Sequence, residues 1–269
     1  MIPVADGQAV DAGWTAATEH RPMAVTWHWT ATADLATCGR LLGGAEAVRK
    51  GVASAHYGVG RSFAEGVQRY VALENRSWHA GKLQTLRWDG RAYAGADDKG
   101  ARTAIGVETV NVGYARPGLA AAPDWARADS PHGRWSMRIQ PWTEEQVAMM
   151  IAVGQEIVAR WPHIGPRDHH GHHDLCPGYK ADVAAFPFAR VLRGIYGDPG
   201  IPDVWTPFWA IAGRRRALID LGYSPAISGR WGDRDDEALR RFQDDQDLVA
   251  DGMWTTFVSR KAFELLAAR

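Results

Sequence analysis

The chain has 269 residues, more than one domain usually holds and enough for a large and a small one. Hydrophobic residues make up 46% and charged ones 23%, so the chain can fill a core and carries none of the bias of a disordered protein. Thirty-one basic side chains balance 31 acidic ones without a long single-sign block, which argues against nucleic acid or anionic lipid as a partner.

The first twenty residues, MIPVADGQAVDAGWTAATEH, contain neither a basic stretch followed by an apolar one nor a lipobox cysteine. No apolar run reaches spanning length, so the expectation is a chain without an export signal and without membrane insertion. Cys38 and Cys176 are too few for a disulfide framework and fit a reducing compartment. The segment MAVTWHWTA, residues 23–31, reads as a strand of period two. Val25, Trp27 and Trp29 share one face, which leaves Thr26, His28 and Thr30 on the other. A second strand is read in TAIGVETVN, residues 103–111, where Glu108 lies opposite Ile105 and Val107. Residues 112–141, rich in Pro, Gly, Ala and Arg, read as a long surface excursion without secondary structure. The clearest helix is TEEQVAMMIAVGQEIVARW. It opens with Thr143 and Gln146 as a capping box, carries Val147, Met150, Ile151, Val158 and Trp161 on one stripe, and ends at Pro162.

The stretch HHGHHDLCPGYKAD, residues 169–182, packs four histidines, two aspartates, a cysteine and a lysine together. A catalytic zinc site takes three protein ligands and leaves a fourth position for water, so most of these cannot bind at once. His28, projecting from a strand opposite three bulky apolar residues, is the best candidate for a ligand from elsewhere in the chain. By chemistry alone Cys176 is a plausible soft ligand. A linker is read at YGDPGIPDVWTPF, residues 196–208, where three prolines and two glycines interrupt any apolar pattern. It divides the chain into modules 1–195 and 209–269, and few contacts should cross it. The second module repeats helix, tight turn, helix, tight turn, helix.

The strings VTWHWTA, SAHY (54–57), WHAG (78–81), IGVE (105–108) and GHHDLCPGYKAD (171–182) occur here in the order found in zinc-dependent N-acetylmuramoyl-L-alanine amidases of type 2, a family that this module resembles. Phage lysozyme-like amidases and peptidoglycan recognition proteins are related to it. The resemblance implies an α/β fold, with a mixed central sheet flanked by helices, and one zinc ion per chain. In the family the second histidine ligand stands five residues before a proline, eight before a lysine and ten before an aspartate. Pro177, Lys180 and Asp182 all point back to His172, so the implied ligands are His28, His172 and Asp182. Glu108 is the implied general base and Lys180 the implied donor to the developing oxyanion, while His56 and His79 are expected to line the substrate groove. His169, His170 and His173 are expected outside the ligand set, either behind the ligands or at the surface, and Cys176 stands where the family usually carries a small apolar residue. Two departures are visible. The common D-P-G reads Asp182-Val183-Ala184, and Ala55 stands where some members use a tyrosine.

In the second module, LGY (221–223), GRWG (229–232), ALRRFQ (238–243) and Asp251-Gly252 resemble the peptidoglycan-binding domain 1 family, which implies a small three-helix bundle that holds the enzyme on the wall. Most of the thirteen tryptophans are expected in cores, with Trp78 and Trp231 as candidates for stacking on sugars. The implied activity is hydrolysis of the amide between N-acetylmuramic acid and L-alanine of bacterial peptidoglycan, by a monomer. Such a pair of modules without an export signal resembles a phage or prophage endolysin, made in the cytoplasm and acting on the wall after release. The alternatives are an envelope recycling amidase and a non-catalytic peptidoglycan recognition protein. The latter is expected to have lost a ligand, and none of the three is lost here.

Overall fold

The computed structural model describes residues 4–6, 20–43, 53–85, 87–88, 91–92, 95 and 102–269, so the reading of the first twenty residues lies largely outside it. In chain order these residues form β1 (Val4–Asp6), β2 (Ala24–Trp29), α1 (Leu35–Leu42), β3 (Tyr57–Val59) and β4 (Val67–Arg69). The short pair β5 (Arg87–Trp88) and β6 (Arg91–Ala92) follows, then β7 (Ala104–Thr109), β8 (Ala126–Asp129) and β9 (Ser136–Ile139). The first module closes with α2 (Glu144–Arg160), β10 (His169–Gly171), α3 (His172–Leu175) and α4 (Phe188–Tyr196). Beyond it lie α5 (Ile211–Asp220), α6 (Asp233–Asp245) and α7 (Thr256–Ala267).

Six strands form one mixed sheet in the order β1-β4-β3-β7-β2-β10, antiparallel only at β3–β4. The period-two reading of β2 and β7 holds. Val25, Trp27, Ile105 and Val107 join Tyr57 and Val59 in the main core, where Val147, Met150, Val153 and Ile157 of α2 meet Val191, Leu192 and Ile195 of α4. The opposite sheet face is built from small residues, Ala24, Gly58, Ala104 and Gly106, and this leaves room for polar side chains above it. A Cβ on Gly106 would run into the His79 ring, and one on Gly58 into Tyr70.

Thr143 caps α2 by accepting from Gln146 N at 3.0 Å. Only this half of the predicted capping box forms. Gln146 is buried and donates instead to the Val110 carbonyl at 2.7 Å, tying the helix to the end of β7. Among the described residues no helix is long and apolar enough to cross a membrane. Both cysteines are buried and free.

Residues 112–141 differ from their reading as an unstructured excursion. β8 and β9 pair antiparallel over four residues each, and Ala128, Met137 and Ile139 form a small core of their own with Ala185. The sequence hid this because the strands are only four residues each, too short for the alternation in SMRI to stand out. The stretch 196–208 is likewise no free tether: Ile201, Val204 and Trp205 are buried in the main core, and the Trp205 ring stacks on Phe188 with centroids 5.0 Å apart.

The three C-terminal helices enclose Leu218, Trp231, Leu239, Phe242, Trp254 and Val258. Many bonds cross from this bundle to the sheet module. The buried Arg214 donates to the carbonyls of Ser130 at 2.7 Å and Asp129 at 2.9 Å, while the Asp129 carboxylate accepts from Ile211 N at 2.8 Å at the start of α5. Trp254 N donates to the Pro131 carbonyl at 2.8 Å, and Gly133 lies so close to the Trp231 ring that a Cβ there would collide with it. Trp231 is therefore a buried contact of the β8–β9 hairpin and not a free sugar platform; Trp78 is half-buried.

Candidate metal centre

On the small-residue face of the sheet, His28 of β2 and Glu108 of β7 stand in register. β10 pairs with the other side of β2 and runs directly into α3, so His172, the first residue of that turn, arrives beside His28. Asp182 comes from the following loop, which is fastened to the turn by His173 N donating to the Asp182 carbonyl at 2.5 Å. Three atoms converge. His28 Nδ1 and His172 Nδ1 lie 3.1 Å apart, and Asp182 Oδ2 lies 3.3 Å from the first and 2.9 Å from the second. All three side chains are buried.

The hydrogen bonds behind these atoms decide which ring nitrogens face the centre. The Ala80 carbonyl, 3.0 Å from His172 Nε2, can only accept, so that nitrogen carries a proton. His79 Nε2 donates in the same way to the Ala104 carbonyl at 3.3 Å. Burial, and then the charge of His28, hold the His79 ring neutral well below the usual imidazole range, so its Nδ1 is bare and accepts from His28 Nε2 at 3.0 Å. His28, pushed down to about 4 by burial and by His172, is left with a bare Nδ1 facing His172 and Asp182. Burial also opposes charge on His172, but the Asp182 carboxylate outweighs it and pushes that imidazole up to about 10. Burial works against ionised Asp182 too, yet His172 holds it well below the carboxylate range.

This arrangement fits a metal. A tetrahedral zinc shell of radius about 2.1 Å spaces its ligand atoms about 3.4 Å apart, so the three atoms need to spread by about 0.5 Å or less. Two imidazoles with a carboxylate suit zinc, and second nitrogens pinned by carbonyls or another imidazole are the usual outer support of such ligands.

Glu108 borders the three ligands, its Oε1 3.9 Å from His28 Nδ1 and its Oε2 without a hydrogen-bond partner among the described residues. Burial, with Asp182 adding to it, pushes this carboxyl up to about 8. Lys180 is half-buried, and its charge acts on His28, His172 and Glu108 alike. The structure thus brings His28, His172, Asp182 and Glu108 together, with the charge of Lys180 acting on them.

His56 and His79, expected to line the groove, are buried among the described residues. His79 is buried behind His28, as described, because Gly106 leaves space for its ring against the sheet. His56 is fully buried, with Nε2 donating to the Asn75 carbonyl at 3.0 Å and Nδ1 accepting from Gly106 N at 3.0 Å and from Ser77 Oγ at 2.8 Å. Its hydrogen-bonding capacity is used up inside the fold. His169 and His170 are also buried, not at the surface: Trp27 Nε1 donates to His169 Nδ1 at 3.2 Å, and His170 Nε2 lies 3.0 Å from Thr26 Oγ1. The Cys176 thiol donates to the Ala80 and Lys82 carbonyls, on the Nε2 side of the His172 ring, and is not one of the three converging ligands. The sequence reading missed the Ala80 carbonyl and Asp174, whose buried carboxylate accepts from Gly171 N at 2.7 Å beside His172. A small residue ahead of Gly81 and an acid three residues into a turn are the only signals either leaves.

The N-acetylmuramoyl-L-alanine amidase family matches residues 18–182, which span every side chain of this centre. No curated protein matches. Among solved structures, the N-acetylmuramyl-L-alanine amidase AmiD from E. coli, in complex with the substrate anhydro-N-acetylmuramic acid-L-Ala-D-gamma-Glu-L-Lys, is 20% identical. It has a TM-score of 0.53 over 94% of this chain and 92% of that one. AmpDh3 from Pseudomonas aeruginosa is 21% identical, with a TM-score of 0.50 over 96% of this chain and 97% of that one. Both share the mixed sheet and its helices. The chain therefore belongs to the N-acetylmuramoyl-L-alanine amidases, peptidoglycan hydrolases that cut the amide between N-acetylmuramic acid and L-alanine.

Proposed function

We propose that the chain performs this hydrolysis with one zinc ion held by His28, His172 and Asp182. The observation that carries the reading is the convergence of their three ligating atoms beside a buried carboxyl with an unused oxygen. Zinc bound there would make a water acidic enough to ionise near pH 7 and would polarise the substrate carbonyl. The chain's own side chains do the rest. Burial and Asp182 favour the protonated form of Glu108, but the charge of a zinc ion beside it would ionise the carboxyl, which then accepts the proton as the water oxygen bonds to the lactyl carbonyl carbon. As the C–N bond breaks, it passes that proton to the departing amine of L-alanine. Lys180 places positive charge where the carbonyl oxygen becomes negative, a contribution worth about 3 kcal/mol of barrier in comparable sites.

The substrate reading is supported by the muramyl peptide bound to AmiD. We assign the C-terminal helices, 209–269, to wall binding on their sequence motifs and their separate core, and we place the action of this monomer at the wall, as a phage or prophage endolysin acts. Digestion of purified sacculi followed by mass spectrometry tests the reaction. Free L-alanine amino termini on intact glycan strands are expected, whereas shortened glycans or cut cross-links would identify another bond. Wall binding is tested with full-length Glu108→Gln, which should pellet with sacculi and do so with little dependence on salt if sugar and peptide contacts carry it.

A further inference from the structure

Asp174 is fully buried beside the ligand-bearing turn, and nothing in the reaction uses it. Its two oxygens reach both modules. Oδ2 accepts from Gly171 N at 2.7 Å and closes the amino end of α3, whose first residue is the ligand His172. Oδ1 accepts from Thr256 N at 2.6 Å, the first residue of α7 in the C-terminal bundle, and lies at the longer distance of 3.3 Å from His173 Nε2. The amino end of α7 needs an acceptor, because the first backbone donors of a helix have no partner within it. Its own N-cap residue, Thr255, makes no side-chain cap bond. Asp174 takes that place from 82 residues away and brings negative charge to the positive end of the helix. Phe257, one residue further on, packs against Ala80, Leu175 and Cys176, the other side of the same turn.

We propose that Asp174 is a positioning residue through which the C-terminal bundle becomes part of the metal centre. The helix α7 holds the carboxylate, the carboxylate holds the 171–175 turn, and the turn sets His172 Nδ1 against His28 and Asp182. The proposal rests on reading those three residues as the metal site.

The test changes the single donor at issue. Thr256→Pro deletes the N–H, and proline is well tolerated at the first position of a helix. Thr255, at φ −102° and ψ 174°, already has the extended conformation that precedes proline. Thr256→Val keeps the N–H and loses only the hydroxyl that accepts from Trp205 Nε1 at 3.2 Å. Zinc affinity is measured by competition with a chelating dye, and ligand geometry by the visible spectrum of the cobalt-loaded protein. Loss of outer support typically costs about 10- to 100-fold in metal affinity, so a contact one step further out is expected to cost about 10-fold, the lower end. The expected result is that weakening in Thr256→Pro, with a shifted cobalt spectrum, and wild-type values in Thr256→Val. A folded Thr256→Pro with unchanged affinity and spectrum, or an equal loss in both variants, overturns the proposal. Should Thr256→Pro not fold, hydrogen exchange on the wild-type chain decides the matter. Coupling is reciprocal, so zinc loading should slow exchange in the first turn of α7, and unchanged exchange there overturns the proposal. A wild-type chain that takes up neither ion overturns the metal-centre reading itself and this proposal with it.

Discussion

His28 and Glu108 are register partners on the neighbouring parallel strands β2 and β7, and His28 Nδ1 lies 3.9 Å from Glu108 Oε1. A proposed ligand and a proposed proton carrier are thus spaced by a backbone ladder, with Thr109 Oγ1 bonded to the His28 carbonyl at 2.5 Å as a further tie. Sites on strands hold their geometry better than sites on loops. The separation of the two roles can be tested directly. Glu108→Gln should keep about one zinc per chain by elemental analysis while turnover falls about 10²-fold or more, and Lys180→Ala should behave alike. Unchanged turnover in Glu108→Gln would make that residue structural.

Metal removal should abolish hydrolysis, and zinc should restore it. The bound ion should also stabilise the fold, by about 4 kcal/mol when free zinc is a thousand times its Kd. Calorimetry with and without chelator reads this as a lower Tm in the stripped protein. A metal-free preparation with full activity would refute the metal mechanism.

His79 separates an outer support from a groove residue. His79→Ala should weaken zinc binding by about 10- to 100-fold and leave KM for a soluble muropeptide nearly unchanged once zinc is saturating. The opposite pattern, normal zinc affinity with a raised KM, would return His79 to the groove.

Acid should erode stability in a defined window. Burial pushes both His56 and His169 down to about 3, whereas both titrate near 6.5 when unfolded. Above pH 6.5 both states are neutral, and nothing is lost. Between pH 6.5 and about 3 the unfolded chain binds protons that the folded one does not, so each histidine costs about 1.4 kcal/mol per pH unit. Urea unfolding between pH 7 and 4 should show this slope, reduced by about one histidine's share in His56→Gln, provided that variant folds.

Cutting the chain after Asp203 should destabilise what remains. Phe257 leaves the apolar cluster under the 171–175 turn, a loss of about 1.5–3 kcal/mol for that ring alone, and Asp129, Ser130 and Pro131 lose their partners across the interface. The truncated chain should melt lower and lose activity on soluble muropeptides as well as on sacculi. Full activity on the soluble substrate would mark the bundle as a separable tether.

The sequence made some of this legible and hid the rest for physical reasons. Alternation in MAVTWHWTA was enough to place His28 on the face away from the core, since side-chain direction along a strand depends only on parity. His172 and Asp182 were readable because the loop joining them keeps a fixed spacing. The direction of His56 and His79 was not readable: it depends on Gly106 leaving room on a neighbouring strand, a cross-strand fact. Asp174 looked like one more acid in a polar string, because the helix end it caps is distant in sequence. The β8–β9 hairpin escaped notice because its apolar face is covered in part by residues from outside the segment, such as Ala185 and Trp209.

Arg214 and Asp129 reach in opposite directions across the same seam, one guanidinium into the hairpin and one carboxylate onto the start of α5. The heritable unit of the proposed wall targeting is consequently discontinuous. A recombination breakpoint in 196–208 alone would separate α5 from 129–131 and α7 from Asp174, so chimeras that exchange only the last sixty residues would inherit mismatched seams. Productive exchanges would carry residues 126–139 along with the three helices and would choose donors with an acid at the position of Asp174.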